Sequence, residues 1–341
     1  MMKVCLYSGC LNLVAKSGIG HAVLHQQQML EYNGVEVTFR DSPDAPLVHI
    51  NTVFPDALLK AITAHILGKK VIYYGHSTKE DFKHSFRGST ALAPLFQHWI
   101  KLCYSRGDAI ITPTEYSKRL LLSYGIRKPV FALSNGIDTE AFQFSQTRRD
   151  QFRAHYNIAP HEKAILSVGH YIERKGILDF IALARQNPDH RFFWFGYTDP
   201  RLIPETIRSA IKNAPSNLTF PGYVDSTALC DAYCGCDVFP FLSYEETEGI
   251  VVLEALSCQI PVIVRDIPVY DGWLNGQESV YMAADNVGFQ RALDGILSGR
   301  WPDLRKAGRQ VAEQRDVHQV GKHLLAIYEQ LRTSDQRSLP L

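Results

Sequence analysis

The sequence predicts an α/β protein built from two doubly wound, parallel-sheet domains that face each other across a cleft. Three observations predict it. Short β-branched runs alternate with helix-length amphipathic segments in both halves of the chain. The alternation stops in a polar stretch at 139–149 and then restarts. Finally, 341 residues are enough for two domains of ordinary size. The expected division is 1–142, 150–315 and a terminal helical segment, 316–341.

Composition narrows the function classes. The chain is 45% hydrophobic and 21% charged, a globular composition. Its formal net charge of +1 does not point to nucleic acid, so any basic surface must be local. Met1-Met-Lys-Val-Cys-Leu-Tyr7 is a short strand and not a signal peptide. No run reaches the roughly 18 apolar residues that a membrane span needs. The expectation is a cytoplasmic protein, peripherally associated with the inner face of the cell membrane. The seven cysteines are irregularly spaced. Cys230, Cys234 and Cys236 lack the matching second half of a zinc motif, and read as small buried residues of a helix-to-strand junction. No metal site is expected.

In the first half, Lys3–Tyr7 is a strand, and a loop ending in Lys16-Ser-Gly-Ile-Gly20 leads into a helix through about Tyr32. The third glycine of a dinucleotide fingerprint is replaced by Val23, so Gly18 and Gly20 mark only a close backbone approach. Val35–Phe39 and Leu47–Ile50 are strands, and Asp56–Leu67 is a helix. The strand Lys70–Tyr74 runs into Gly75-His76. Ligands of open α/β sheets bind at strand carboxyl ends, which makes His76 a candidate site residue. Lys79 to Arg106 then carries Lys79, Lys83, Arg87 and Lys101 among phenylalanines, leucines and Trp99, with acids only at its start. A basic, aromatic, amphipathic stretch of this kind lies on anionic membranes. Strands at Asp108–Thr112 and Val130–Leu133 flank a helix from Glu115 to Tyr124, and Asn135-Gly136 is a turn.

The second half opens with the strand Ala164–Val168, followed by a turn holding Arg174 and Lys175. A planar fork beside a compact cation, between a strand and a helix, suits a diphosphate. Arg191–Phe195, Leu218–Phe220 and Asp237–Pro240 are strands. An acidic loop follows, then a buried helix opened by Gly249, then the strand Val262–Val264. Glu246 in the loop and Glu254 in the apolar helix stand eight residues apart. A carboxylate in such surroundings needs a partner, and a sugar or ribose hydroxyl suits it. The free N–H groups near Gly249 and Ile250 suit a phosphate. Asp266–Gly276 is a loop, and two or three helices finish the chain, the last at about Gln319–Leu331.

Glu246-x7-Glu254, the Arg174-Lys175-Gly176 turn, the Gly18/Gly20 loop, His76 and the Asn135-Gly-Ile-Asp138 turn together resemble the retaining glycosyltransferases of the GT-B fold, family 4. The resemblance covers nearly the whole chain and implies two Rossmann-like domains, with the last helix crossing back to the first. It departs at Gly169-His170, where the family usually has Gly-Arg. It implies that Gly18 and Gly20 face the donor phosphates and acceptor, and that His76 contacts the transferred sugar or the acceptor. Tyr223 and Val224 would hold the nucleobase. Glu254 would hold the ribose and Glu246 the donor sugar, with Thr247 among the donor- or nucleotide-binding residues. Arg174, Lys175 and the helix start at Gly249 and Ile250 would stabilise the departing diphosphate. No D-x-D occurs, which favours cationic side chains over a bound metal, so no cofactor is expected. Glu-Thr-Glu-Gly-Ile-Val-Val-Leu-Glu, with Ile172-Glu-Arg-Lys-Gly-Ile, is similar to bacterial enzymes that build diglycosyl-diacylglycerols. The implied partners are UDP-glucose or UDP-galactose, a glycolipid acceptor, with glucosyl-diacylglycerol as the leading expectation, and an anionic membrane. Two alternatives are a soluble or polyprenyl-linked acceptor for capsule or exopolysaccharide, and an inactive nucleotide-sugar sensor or scaffold.

Overall fold

The computed structural model describes residues 2–10, 18–86 and 88–334. Arg87 of the expected site, and Lys16 and Ser17 of the loop that leads to Gly18, lie outside the described residues. Described residues within 2–82, 91–136 and 315–334 form unit 1, and those within 83–90 and 137–314 form unit 2.

Unit 1 contains β1 (Lys3–Tyr7), α1 (Gly18–Tyr32), β2 (Glu36–Thr38), β3 (Leu47–Ile50), α2 (Pro55–Ile66), β4 (Lys70–Tyr74), α3 (Lys79–Phe82), α4 (Ser89–Tyr104), β5 (Ala109–Thr112), α5 (Glu115–Ser123) and β6 (Val130–Ala132). Unit 2 contains α6 (Gln146–His155), β7 (Ala164–Val168), α7 (Ile177–Gln186), β8 (Arg191–Phe195), α8 (Glu205–Lys212), β9 (Leu218–Gly222), α9 (Ser226–Gly235), β10 (Phe239–Phe241), α10 (Ile250–Ser257), β11 (Val262–Arg265), β12 (Tyr281–Ala283), α11 (Asn286–Leu297) and α12 (Arg305–Glu313). The last helix, α13 (Val317–Ser334), belongs to unit 1.

Among the described residues, the unit 1 strands form one parallel sheet in the order β2-β1-β3-β4-β5-β6. Both faces are covered, as an all-parallel sheet requires. On one side, Ala57, Ala61 and Ala64 of α2 pack with Ile100 and Tyr104 of α4 on Val48, Tyr73 and Ile110. On the other, Met29 and Leu30 of α1 and Leu324 and Tyr328 of α13 cover Leu6, Ile72 and Ile111. Strand order reverses between β1 and β3.

In unit 2, β7-β8-β9 and β10-β11-β12 are each parallel. A parallel bridge at Ile165 and Val238 joins them, with Leu166 N–H donating to Val238 O at 3.0 Å and Asp237 N–H to Ala164 O at 2.7 Å. The combined order is β9-β8-β7-β10-β11-β12, and the reversal falls between β7 and β10. These are two Rossmann-like α/β units of the GT-B kind. No helix among the described residues is long and apolar enough to cross a membrane.

Three local expectations are corrected. The polar stretch at 139–149 is not all linker, because α6 begins at Gln146, capped by the Ser145 hydroxyl accepting from the Arg148 N–H. Its one buried apolar side chain is Phe152, and ion pairs from Arg148 to Asp231 and Arg149 to Asp237 hold it instead. Lys79 to Arg106 is broken into α3 and α4, with His84 and Gly88 at positive φ between them. Tyr281–Ala283, which has no expected counterpart, adds an edge strand beside β11.

Candidate functional site

Ligands of doubly wound sheets bind beyond strand carboxyl ends where the order reverses. In unit 2 that point lies between β7 and β10, and the chain after each strand supplies charged side chains to it. After β7, residues Glu173–Lys175 form a single 3₁₀ turn that ends at Gly176 with φ of 75°. A Cβ on Gly176 would stand 2.4 Å from the Leu242 carbonyl oxygen, so only glycine lets this turn settle onto the exit of β10. The turn is fastened there: the Tyr244 N–H donates to Arg174 O at 2.8 Å.

The two cations then meet the acidic loop. Arg174 is buried, and its Nη1 donates to Glu245 O at 2.6 Å while Nε reaches Ser85 Oγ at 3.3 Å. Lys175 Nζ pairs with Glu246 Oε1 and lies 5.7 Å from the centre of the Phe241 ring. Glu246 is 6% exposed. Burial pushes its carboxyl upward, but Lys175 and then Arg174 outweigh that effect and hold it below the ordinary range. The outcome is an ionised carboxylate and two cations in a low-dielectric corner. Tyr244 braces the loop, its hydroxyl donating to Asp179 Oδ2 at 2.6 Å with the Arg265 guanidinium 3.8 Å above its ring.

Gly249 opens α10 at φ of 92°, a conformation that disfavours any side chain, and its flank carries no side-chain cap. The Tyr270 hydroxyl stands 3.6 Å from the Cβ position of Gly249. Tyr270 is 1% exposed, and its hydroxyl has no hydrogen-bond partner among the described residues. Its ionisation is pushed well up, first by burial and then by the Glu246 charge. Glu254, on the inner face of α10, is fully buried and accepts from the Tyr233 hydroxyl at 2.9 Å. Thr247 is half-buried in the loop and Ile250 is buried. Tyr223 is exposed just beyond β9, with Val224 half-buried beside it. His170, where the usual arginine is missing, turns its Nδ1 to Tyr197 O at 2.6 Å.

In unit 1 the reversal lies between β1 and β3, and His76 follows the neighbouring β4. His76 is buried, stacked on Tyr74 with centroids 4.3 Å apart, and its Nε2 lies 3.2 Å from Asn51 Oδ1. That oxygen makes Nε2 the donor and leaves Nδ1 an acceptor. Burial, with His49 adding to it, lowers the His76 pKa to about 3, so the imidazole is neutral at ordinary pH. Asn51 Nδ2 and Asp56 Oδ1, buried at the same edge, have no partner among the described residues. Gly18 and Gly20 sit in the first turn of α1, and a Cβ at Gly18 would meet nothing within 4 Å. Packing among the described residues therefore does not demand glycine at Gly18.

The basic stretch divides its residues. The Trp99 indole points inward, donating to Val53 O at 2.6 Å, and Lys79 pairs with Glu80. Lys83 is half-buried and Lys101 is exposed. The outward face of α4 carries Leu92, Leu95 and Leu102. Helix α2 adds a second exposed apolar row, Leu59, Ile62 and Ile66, which sequence reasoning missed. Tyr270, Tyr244 and Asn51 were also missed. The only sequence signal for Tyr270 was its place in a loop directly after a buried strand.

Residues 148–314 match the family described as Glycosyl transferases group 1, and residues 32–141 the one described as Glycosyltransferase Family 4. The chain is 40% identical over 331 residues to a processive diacylglycerol alpha-glucosyltransferase of Acholeplasma laidlawii, covering 97% of this chain and 98% of that one. It is 26% identical to an alpha-galactosylglucosyldiacylglycerol synthase of Streptococcus pneumoniae, over 68% of this chain and 63% of that one. Among solved structures, it resembles Anabaena HepE in complex with UDP-glucose, with a TM-score of 0.78 at 14% identity over 97% of this chain and all of that one. Sucrose-phosphate synthase from Thermosynechococcus elongatus gives a TM-score of 0.79 at 18% identity over 98% of this chain and all of that one. At these identities the structural likeness is one of fold.

Proposed function

The chain belongs to the family 4 glycosyltransferases of the GT-B fold and is a hexosyltransferase; on that premise we propose that it transfers a hexose from UDP-glucose or UDP-galactose to a glycolipid at a membrane surface, with retention of the α configuration. The acceptor in this reading is glucosyl-diacylglycerol. The observation that carries it is the ion pair of half-buried Lys175 with buried Glu246, beside buried Arg174, at the β7/β10 reversal.

In the proposed reaction the acceptor hydroxyl oxygen bonds to the anomeric carbon as the bond from that carbon to the diphosphate oxygen breaks. The hydroxyl proton goes to the leaving diphosphate, on the face that it vacates. Lys175 and Arg174, with the N–H groups at the start of α10, stabilise the charge that develops there. Glu246 accepts hydrogen bonds from the donor sugar, and Glu254 from the ribose. Tyr270, beside Gly249, offers its buried hydroxyl to the donor. Tyr223 and Val224 take the base. His76 accepts a hydrogen bond through Nδ1 from the sugar or the acceptor. The cations do the work of leaving-group stabilisation, so no metal takes part in transfer.

The membrane part of the reading is supported by the apolar outer faces of α2 and α4, and by the diacylglycerol lipids that both relatives' names carry. One assay tests the whole. UDP release is measured with each UDP-hexose, with and without glucosyl-diacylglycerol in mixed micelles, in EDTA. Acceptor-dependent release that survives EDTA is expected. Full activity with a soluble sugar acceptor alone would overturn the glycolipid assignment, and UDP binding without turnover would make the chain a sensor. Complete loss in EDTA restored by manganese would refute metal-free transfer.

A further inference from the structure

We propose that Cys230, Cys234 and Cys258 bind one thiophilic divalent metal ion of the zinc class, at a structural site behind the donor-binding helix. Cys230 and Cys234 are four residues apart on one face of α9, and Cys258 closes the C-terminus of α10. All three sulfurs lie within 4.8 Å of one another, and Cys230 and Cys258 are 3.8 Å apart. Two sulfurs of a tetrahedral site with bonds of about 2.3 Å stand about 3.8 Å apart. The Cys230–Cys258 pair already has that spacing, and neither other pair exceeds it by more than about 1 Å.

The Gln143 carbonyl is the candidate for the fourth corner, near two of the three sulfurs. The Gln143 carbonyl oxygen lies 3.6 Å from Cys234 Sγ and 3.9 Å from Cys230 Sγ. An oxygen bound at about 2.1 Å would stand about 3.6 Å from each sulfur of the same tetrahedron. Ordinary S–H donation to that carbonyl is the competing account, and it predicts no uptake of metal.

All three thiols are buried. Cys258 also borders a surface cavity of about 290 Å³, lined by Phe144 and Arg305 among others, which gives an ion a way in. Between the two α9 cysteines, Tyr233 donates to Glu254. An ion here therefore pins α9, the end of α10 and residues 141–145 together, without touching the reacting atoms. Binding displaces the thiol protons to solvent.

The test uses the full chain, reduced and freed of metal, without any substrate, so its outcome is independent of the transferase reading. Cadmium is titrated while thiolate-to-metal charge-transfer absorption is followed, and zinc is used as competitor. The absorption should saturate at one ion per chain, and the melting temperature should rise. Cys234→Ser and Cys258→Ser should each weaken binding by more than the roughly 10–100-fold typical of losing an outer partner. Cys236→Ser and Cys103→Ser, outside the trio, should leave it unchanged. X-ray absorption on the wild-type zinc adduct should show three sulfurs and one oxygen, a readout that needs no variant to fold. A folded wild type without the absorption, an ion surrounded by nitrogen and oxygen, or binding that survives the Cys234→Ser/Cys258→Ser pair would each overturn the proposal.

Discussion

At the scale of single residues, the site depends on charges that would be costly alone. Removing one partner of a buried ion pair costs about 3–5 kcal/mol, because the other is left uncompensated. Lys175 and Glu246 therefore stand or fall together, and a substitution at either mixes stability with chemistry. Tyr270 offers a cleaner test. Its hydroxyl has no partner among the described residues, so Tyr270→Phe removes an unsatisfied buried group. The variant should be as stable as the wild type or more stable, by up to about 1 kcal/mol. Turnover should nevertheless fall about tenfold, the loss of one neutral hydrogen bond to the donor. Unchanged kcat and KM would remove Tyr270 from the site. Glu254 stood out in the sequence as a charge in an apolar run, Glu246 by its spacing from Glu254, and Arg174 and Lys175 as adjacent cations between a strand and a helix. Tyr270 did not, because an apolar loop with one tyrosine looks like ordinary core.

At the scale of elements, α2 shows where pattern reading fails. Its larger apolar residues, Leu59, Ile62 and Ile66, face outward, while Ala57, Ala61 and Ala64 face the sheet. Small residues let the helix lie close to β4, and Lys60 is buried by pairing with Asp41 at 2.6 Å. A hydrophobic-period argument assigns Leu and Ile to the core and cannot see this inversion. The same inversion gives the prediction. Leu59→Glu with Ile66→Glu should release the protein from anionic liposomes while leaving its melting temperature nearly unchanged, since exposed substitutions shift stability by only about 0.5 kcal/mol. Pelleting with liposomes that is unaffected by the pair would remove α2 from membrane contact. Helix α6 failed to register for the opposite reason: it is polar on every face but one, and its anchors are aspartates 80 or more residues away.

At the scale of the whole molecule, most strands were legible but their order was not. Order is set by which crossover packs on which face, information that no local window contains. Yet order fixes the two reversals, and so where charge can gather. The neutral histidines of unit 1 carry a consequence for stability. Burial sets His49 and His76 to a pKa of about 3, against 6.5 for an unburied imidazole. Between those values the unfolded chain takes protons that the folded unit refuses. Stability is therefore full above pH 6.5 and falls as pH drops toward 3, by up to about 1.4 kcal/mol per pH unit for each histidine. Melting temperature against pH should flatten over this range in His49→Gln/His76→Gln; an unchanged slope would show that neither histidine is held neutral.

The central claim is that Glu246 acts on the sugar and not on the nucleotide. The direct measurement is UDP affinity by calorimetry beside kcat in folded Glu246→Ala. Turnover should fall by about 10²–10³, the usual loss for one charge-stabilising contact, with UDP affinity nearly unchanged. Retained turnover, or UDP binding lost in proportion to turnover, would contradict the account.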